Sequence, residues 1–415
     1  MIIQFSIGNY RSFNGIQTIN FRATGIVSEN KTVDANNIAE VDGQRLLKTL
    51  GVYGANASGK SNLVKGFHFF KRMVKWSLNN EDLFTHIYDP NIQAIENKSD
   101  DCGYFQVVIL IEGRKYRYGF TLGEKEIATE WLFGPDRGNG NYYFSRIGKE
   151  IEINEEYFPE GLNIPYDTKL RANTLFLTFC SSYNGQISGS IRDFISYKIK
   201  HTETSDNDSD RNADTNKLVE ENNKEVVLNW LREAGLDYND IKIQKNNNRN
   251  EHPTIIVYKN IYDSHGKIIG TIPMNLKEDE SDGTQKYYSF IGKLYKKFED
   301  GGLLISDEID SNFHPALLQK IISLFNNPLV NKANAQLLFT SHDTNLMSPE
   351  IMRRDQFYFT EKSSNDETVL YSLSDLKGIR NNADFANQYL AGFYGALPVL
   401  GDFIEESLTT ENPEK

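Results

Sequence analysis

Cysteine is nearly missing from this chain: Cys102 and Cys180 are the only two in 415 residues. Two cysteines in a chain this long make neither a disulfide framework nor a zinc site, so they read as ordinary reduced thiols. Long apolar runs are missing too. No window approaches the ~18 uncharged apolar residues of a spanning helix. The N-terminus, Met1-Ile2-Ile3-Gln4-Phe5, has no basic n-region and no long apolar h-region. These absences point to a soluble, cytoplasmic protein with no membrane partner. Positive charge is in deficit: 45 Lys and Arg stand against 57 Asp and Glu, a net −12. Coating nucleic acid non-specifically needs a positive footprint, so only a local basic groove stays open. No repeat at a period of ~20–50 residues is visible, which excludes a solenoid. No heptad register is sustained, which excludes a long coiled coil.

Apolar and aromatic side chains are plentiful. Hydrophobic residues make up 39% and aromatics 12%, with 25 Phe and 22 Tyr, enough for a sizeable core. At ~100–200 residues per unit, the length suggests two or three units. Residues 2–7 and 16–21 alternate apolar and polar and predict a hairpin around the polar turn 9–14. Residues 46–53 read as a buried strand feeding a glycine-rich loop, and a helix follows from Lys60 to about Trp76. Runs at 104–112, 115–122 and 127–133, split by short turn signals, predict an antiparallel meander. Residues 175–179 (LFLTF) read as a short apolar strand. Residues 201–216 are almost all polar and read as an exposed linker that proteases would nick first. A helix is expected over 217–234, and strands over 254–258 and 267–272. In the last third, strands at 303–306 and 336–340 flank a helix at 315–325, an alternation that points to a mostly parallel α/β sheet. Residues 356–361 and 368–372 read as a terminal hairpin.

Gly54-Ala55-Asn56-Ala57-Ser58-Gly59-Lys60-Ser61 fits G-x-x-x-x-G-K-[ST] without a mismatch. The glycines let backbone N–H groups curl round phosphates, and the following helix points its positive end at them. Lys60 reaches the outer phosphates and the Ser61 hydroxyl ligates Mg2+. The expected ATP-binding residues are these eight together with Asn62. Leu303-Leu304-Ile305-Ser306-Asp307-Glu308 is an apolar strand ending in adjacent carboxylates. Asp307 is expected in the magnesium shell, and Glu308 is expected to polarise the attacking water. Ser341-His342-Asp343 follows the next strand, and His342 is placed to meet the terminal phosphate and the water.

Ser281-Asp282-Gly283 precedes a helix some twenty residues before Glu308. Phosphate loop, then S-x-G before a helix, then apolar-Asp-Glu, then Ser-His: that order resembles the ABC ATPase superfamily. In that resemblance Ser281 and Gly283 form the signature loop acting in trans, and Asp310 lies in the loop that crosses the dimer interface. Phe5-Ser6-Ile7-Gly8-Asn9-Tyr10-Arg11-Ser12-Phe13, Tyr53 to Leu63, Asp307 to Pro315 and Tyr389 to Pro398 resemble the AAA-15/AAA-21 group, relatives of OLD-family and Rad50 ATPase heads. These runs also resemble RloA-like ATPases, which are associated with bacterial anti-phage and restriction loci.

The resemblance implies an α/β fold: an ABC-ATPase head with a mostly parallel sheet, an antiparallel β-meander and a helical insert. The organisation it suggests is a first part of the head at 1–185, a helical insert with a polar linker at 186–250, and the rest of the head at 251–415. It implies ATP and Mg2+ as cofactors and a homodimer or higher even-numbered oligomer. It also implies a dimeric, nucleotide-driven switch on a separate nuclease or TOPRIM/RloB-like effector chain, in anti-phage defence. The stretch after His342 is too short for the TOPRIM domain of OLD nucleases. For the superfamily's metal-facing glutamine, Gln186 is the candidate, and it reads equally as a surface glutamine. A DNA-repair ATPase that clamps DNA directly is the alternative. The acidic charge and the lack of coiled coil favour the switch. A transporter motor fits least, given the meander and insert between Lys60 and Ser281.

Overall fold

Alternation of side chains along the parallel strands decides how this chain layers. The structure, a computed structural model, describes residues 1–79, 102–123, 126–135, 141–202, 211–221, 223–245, 252–311 and 313–398. Five parallel strands and one antiparallel edge form a six-stranded sheet. They are β11 (Ile199–His201), β15 (Leu303–Ser306), β16 (Gln336–Thr340), β5 (Thr49–Gly54), β17 (Phe357–Lys362) and β18 (Thr368–Ser372), in that spatial order. Successive residues on a strand face opposite sides. Leu50, Val52, Leu303, Ile305 and Leu338 enter one core, whereas Tyr53, Leu304, Leu337, Phe339, Phe357 and Phe359 enter another. Both faces are covered, which is why these strands read as unbroken apolar runs.

The first core is closed by helix α2 (Lys60–Trp76) and a second sheet. That sheet runs β10 (Glu150–Ile153), β9 (Asn141–Ile147), β8 (Ile127–Gly134), β7 (Arg114–Leu122), β6 (Gly103–Ile111), β1 (Ile2–Gly8), β2 (Gln17–Asn20). It contains the expected hairpin and meander, joined through the β1–β6 pairing. Phe67 and Phe70 of α2 meet Phe5 of β1, one ring stacked and one edge-on. On the other face of the parallel sheet, the helix Pro315–Asn326 packs Leu318, Ile321, Ile322 and Phe325. The expected single strand at 46–53 is two strands. Lys48 separates β4 (Gln44–Leu47), which pairs with β3 (Ile38–Val41), from β5.

A third core joins the helices Ala213–Glu220 and Lys224–Glu233, the long helix Asp282–Asp300, and a sheet of β12 (Asp240–Gln244), β13 (Thr254–Tyr262) and β14 (Ile268–Asn275). Residues on both sides of position 250 share this sheet through the β12–β13 pairing.

Two expectations are overturned here. The polar run 201–216 is not a continuous exposed linker. His201 is buried in β11, and Thr215 and Asn216 are buried in a helix. Thr215 Oγ1 donates to Tyr288 O (2.7 Å), and the Tyr288 hydroxyl donates to Asn216 Oδ1 (2.9 Å). Residues 203–210 of the run expected to be protease-sensitive lie outside the described residues. The helix expected at 217–234 is correspondingly two helices that meet near Glu221 and Asn223.

The run at 175–179 is a helix, Phe176–Ser182, and not a strand. Its N-cap, Leu175, offers no side-chain acceptor. Glu130 of β8 takes that part, accepting the N–H groups of Phe176 (2.6 Å) and Leu177 (2.9 Å) and the Tyr118 hydroxyl (2.9 Å). Glu130 is fully buried, and burial pushes its carboxyl upward, with Arg146 at 3.7 Å opposing. Arg146 in turn donates to the carbonyls of Gly148, Ala172 and Thr174. An uncapped helix start buried in a core would leave orphan donors, so this carboxylate fixes helix against strand. Glu130→Ala is expected to cost about 3–5 kcal/mol, the scale for stranding a buried charge partner. Urea unfolding measures it, and a loss under about 1 kcal/mol would show that Glu130 does not cap this helix.

Candidate active site

Three parallel neighbours end side by side. Ser306 of β15 pairs with Phe339 of β16, and Thr340 pairs with Val52 of β5. The loop leaving each strand therefore opens at one edge, where α/β sheets hold ligands. Glycine-rich residues 54–59 leave β5, Asp307 and Glu308 leave β15, and Ser341 and His342 leave β16.

Gly54 (φ 152°), Ala57 (φ 60°) and Gly59 (φ 111°) all take positive φ, which curls the first loop back on itself. A side chain at Gly54 would collide with Thr360, and one at Gly59 with Thr368. The loop is braced from behind. Ser58 Oγ and Thr360 Oγ1 lie 2.6 Å apart, and Thr368 Oγ1 donates to Ser58 O (2.8 Å). Asn62 Nδ2 donates to Ser12 Oγ (2.7 Å), so this side chain holds the Tyr10–Phe13 turn while its backbone stays in the helix start. Gly59, the N-cap of α2, makes no side-chain cap. The first N–H groups of α2 thus keep their anion-binding character.

Lys60 is buried, and its ammonium donates to Gly54 O (2.8 Å) and Ala55 O (2.9 Å). Burial lowers its pKa, while Asp307, Glu308 and Asp310 pull it back up. The structure therefore sets this cation against the acids of the neighbouring loop.

Thr340 ties the acidic pair together. Its hydroxyl donates to Asp307 Oδ1 (2.6 Å) and accepts the Glu308 N–H (2.7 Å). Glu308 sits at φ 45°, uncommon for a residue with a side chain, and is exposed. The backbone N–H of His342 donates to Asp310 Oδ2 (3.1 Å), which links the third loop to the turn Ile309–Ser311. His342 is exposed. Partial desolvation of its ring still lowers its pKa below the usual 6.5, Lys60 adds to that, and Asp310, Glu308 and Asp307 oppose it.

Ser61, at the start of α2, and Asp307 are the oxygens that could hold a magnesium ion. Among the described residues no group of three or more His, Cys, Asp or Glu forms a metal cage. A magnesium ion takes one or two protein oxygens and completes its shell from phosphates and water.

Two sets of expected residues stand in other elements. Ser281 caps the helix Asp282–Asp300 by accepting the Thr284 N–H (3.3 Å), and Gly283 lies in its first turn. Gln285 in that turn donates to Lys277 O and Glu280 O, away from the phosphate loop. Gln186 starts the helix Gln186–Asp193, where the next two N–H groups bond Glu160. The run it was expected to follow is the helix Phe176–Ser182 and not a strand. The strand that does flank β15 is β11, and Thr202 at its end donates to Ser306 Oγ (3.1 Å). Thr340, Thr360, Thr368 and Ser12 went unread in the sequence. A hydroxyl at a strand end or turn carries no motif.

A family model described as "AAA domain, putative AbiEii toxin, Type IV TA system" matches residues 50–348. No curated protein matches the chain. Among solved structures, the SMC head domain from Thermotoga maritima is similar at 12% identity and a TM-score of 0.40, covering 89% of this chain and 98% of that one. A Smc head domain with an extended coiled coil, bound to the C-terminal domain of ScpA and derived from Pyrococcus furiosus, is similar at 11% identity and a TM-score of 0.45. It covers 90% of this chain and 97% of that one.

Thr340→Val keeps the shape and removes the hydroxyl that serves both acids. ATP turnover is expected to fall about tenfold to a hundredfold, the scale for misplacing a reacting group, while Thr340→Ser stays near wild type. Steady-state ATPase rates check this. Equal rates in the Val variant would mean that the junction does not position Asp307 and Glu308.

Proposed function

Because the chain belongs to the AAA_21 family, whose description is an AAA domain with a putative AbiEii toxin of a Type IV TA system, we propose that it binds ATP at residues 54–62 and hydrolyses it at Glu308. The observation that carries this reading is the placement of Lys60, Asp307, Glu308 and His342 at the ends of three adjacent parallel strands.

Each residue has a separable part. Lys60 and the uncapped N–H groups of α2 hold phosphate oxygens. Ser61 and Asp307 are the ligands for magnesium, which when bound neutralises phosphate charge. Glu308, standing clear of the strand end at its positive φ, orients the attacking water by accepting its proton side. His342, at the end of β16, offers a hydrogen bond to the terminal phosphate and the water. Asp310 fixes the His342 backbone.

Ser281 and Gly283 complete the site from a second subunit in this reading. They lie at the N-terminus of the helix Asp282–Asp300, and a two-fold arrangement uses one patch twice. Nucleotide then closes the dimer and hydrolysis opens it, giving two states that a partner can sense. The family's toxin–antitoxin description and the RloA-like look of the sequence support an effector carried on another chain and a place in anti-phage defence. The net charge of −12 weighs against a head that clamps DNA along its surface.

Lys60→Ala and Ser281→Arg chains should each lose ATPase activity alone. Mixed, they should regain up to one working site per mixed dimer, because one site then pairs an intact phosphate loop with an intact Ser281. Absence of recovery with subunit exchange confirmed, by fluorescence energy transfer for example, would remove the trans role of Ser281.

A further inference from the structure

The helix Asp282–Asp300 reaches the edge of the parallel sheet with two buried lysines, Lys293 and Lys297, one turn apart. Lys297 Nζ donates to Lys198 O, just before β11, and Lys293 Nζ donates to Thr202 O (2.6 Å), just after it. β11 is 3 residues long, and among the described residues it pairs with β15 alone. So short an edge strand has few ladder bonds to hold its end, and the two ammonium groups bracket it.

Thr202 is where this bracket meets the candidate site. Its N–H donates to Ile305 O (2.9 Å) and its hydroxyl to Ser306 Oγ (3.1 Å). With Lys293 on its carbonyl, Thr202 joins the helix to the last residue of β15, and Asp307 follows directly. On the opposite flank Thr340 of β16 holds the Asp307 carboxylate. The end of β15 is thus held from both sides, and the β11 side leads out of the sheet to the helix that Ser281 caps. Packing alone does not call for an ammonium at position 293. Lys71, His68 and Lys293 all lie in the field of the buried His201 and push it the same way. A methionine would fill similar space without the cost of a buried charge, but it has no donor for the Thr202 carbonyl.

We propose that Lys293 is a positioning residue for ATP hydrolysis: it anchors Thr202, and through Thr202 the Ser306–Asp307 end of β15, to the helix that begins beside Ser281. This rests on the reading of Asp307 and Glu308 as the hydrolytic acids. Ser281 and Lys293 stand about three turns apart on one stiff element, so a shift at its first turn is carried to Thr202. Loss of the ammonium leaves the pairing of β15 with β16 intact, and the phosphate loop lies two strands away on β5. Nucleotide binding therefore survives, while the acids lose part of their placement.

Steady-state ATPase kinetics and Mg-ATP calorimetry on the full chain test this with Lys293→Met, Lys293→Arg, Thr202→Val and the double variant Lys293→Met with Thr202→Val. Lys293→Met and Thr202→Val should each lower kcat about tenfold, the scale for a misplaced reacting group. KM and Mg-ATP affinity should stay within about twofold of wild type, since ground-state binding is untouched. Lys293→Arg can donate to the same carbonyl and should recover most of the rate. The two losses should not multiply, because both substitutions cut one chain of contacts. Wild-type kcat in Lys293→Met, or losses that multiply in the double variant, would overturn the inference. So would a fall in Mg-ATP affinity or melting temperature that accounts for the lost rate and that arginine leaves unrestored. A wild-type chain that hydrolyses no ATP would instead sink the reading of the site, and this inference with it.

Discussion

The ladder from β15 through β16 to β5 pairs Leu304 with Leu337 and Leu338 with Leu50, and it continues until Thr340 stands beside Val52. A slip of one residue would turn every side chain to the other face. The two cores on either side of the sheet forbid that slip, because Leu338 and Leu337 belong to different cores. Register is therefore fixed by burial, and register is what brings three loops from distant parts of the sequence to one edge. The hydroxyl of Thr340 depends on it directly, since it meets Asp307 and the Glu308 N–H only if β15 and β16 end together.

Electrostatics at that edge follow from the same placement. A buried ammonium is costly unless opposite charge lies near. Lys60 has the carbonyls of Gly54 and Ala55 in contact and the carboxylates of Asp307, Glu308 and Asp310 in its field. Those acids follow β15, with β16 between it and β5, so the cation and the carboxylates are matched across the sheet rather than along the sequence. Anionic phosphate would enter with the helix N-terminus behind it, which requires a compensating cation between phosphate and acids. Ser61 and Asp307 are suited to hold that ion.

Much of this was readable where cause and effect are close in sequence. The phosphate loop needs glycines at fixed spacing, and Gly54 and Gly59 stand where a side chain would strike Thr360 and Thr368. Helix α2 begins at Lys60 and ends at Trp76, as its pattern predicts. Failures came where a distant partner decides. Phe176–Ser182 is helical because Glu130, on another strand, satisfies its first N–H groups. Thr215 and Asn216 are buried because Tyr288 and the Gly292 N–H give them partners, which polar composition alone cannot reveal. Thr340, Thr360, Thr368 and Ser12 act through single hydrogen bonds fixed by tertiary register, and no spacing rule marks them.

Hydrolysis at Glu308 is the claim on which the rest turns, and Glu308→Gln separates it from binding. The substitution keeps the size of the side chain and removes the charge that orients water. Isothermal titration with Mg-ATP, paired with a steady-state phosphate-release assay, measures both properties on the same preparation. The account predicts wild-type-like affinity with turnover lower by about a hundredfold or more, within the range for a lost general base. Turnover near wild type in this variant, with binding intact, would contradict it and place the activation of water elsewhere in the chain.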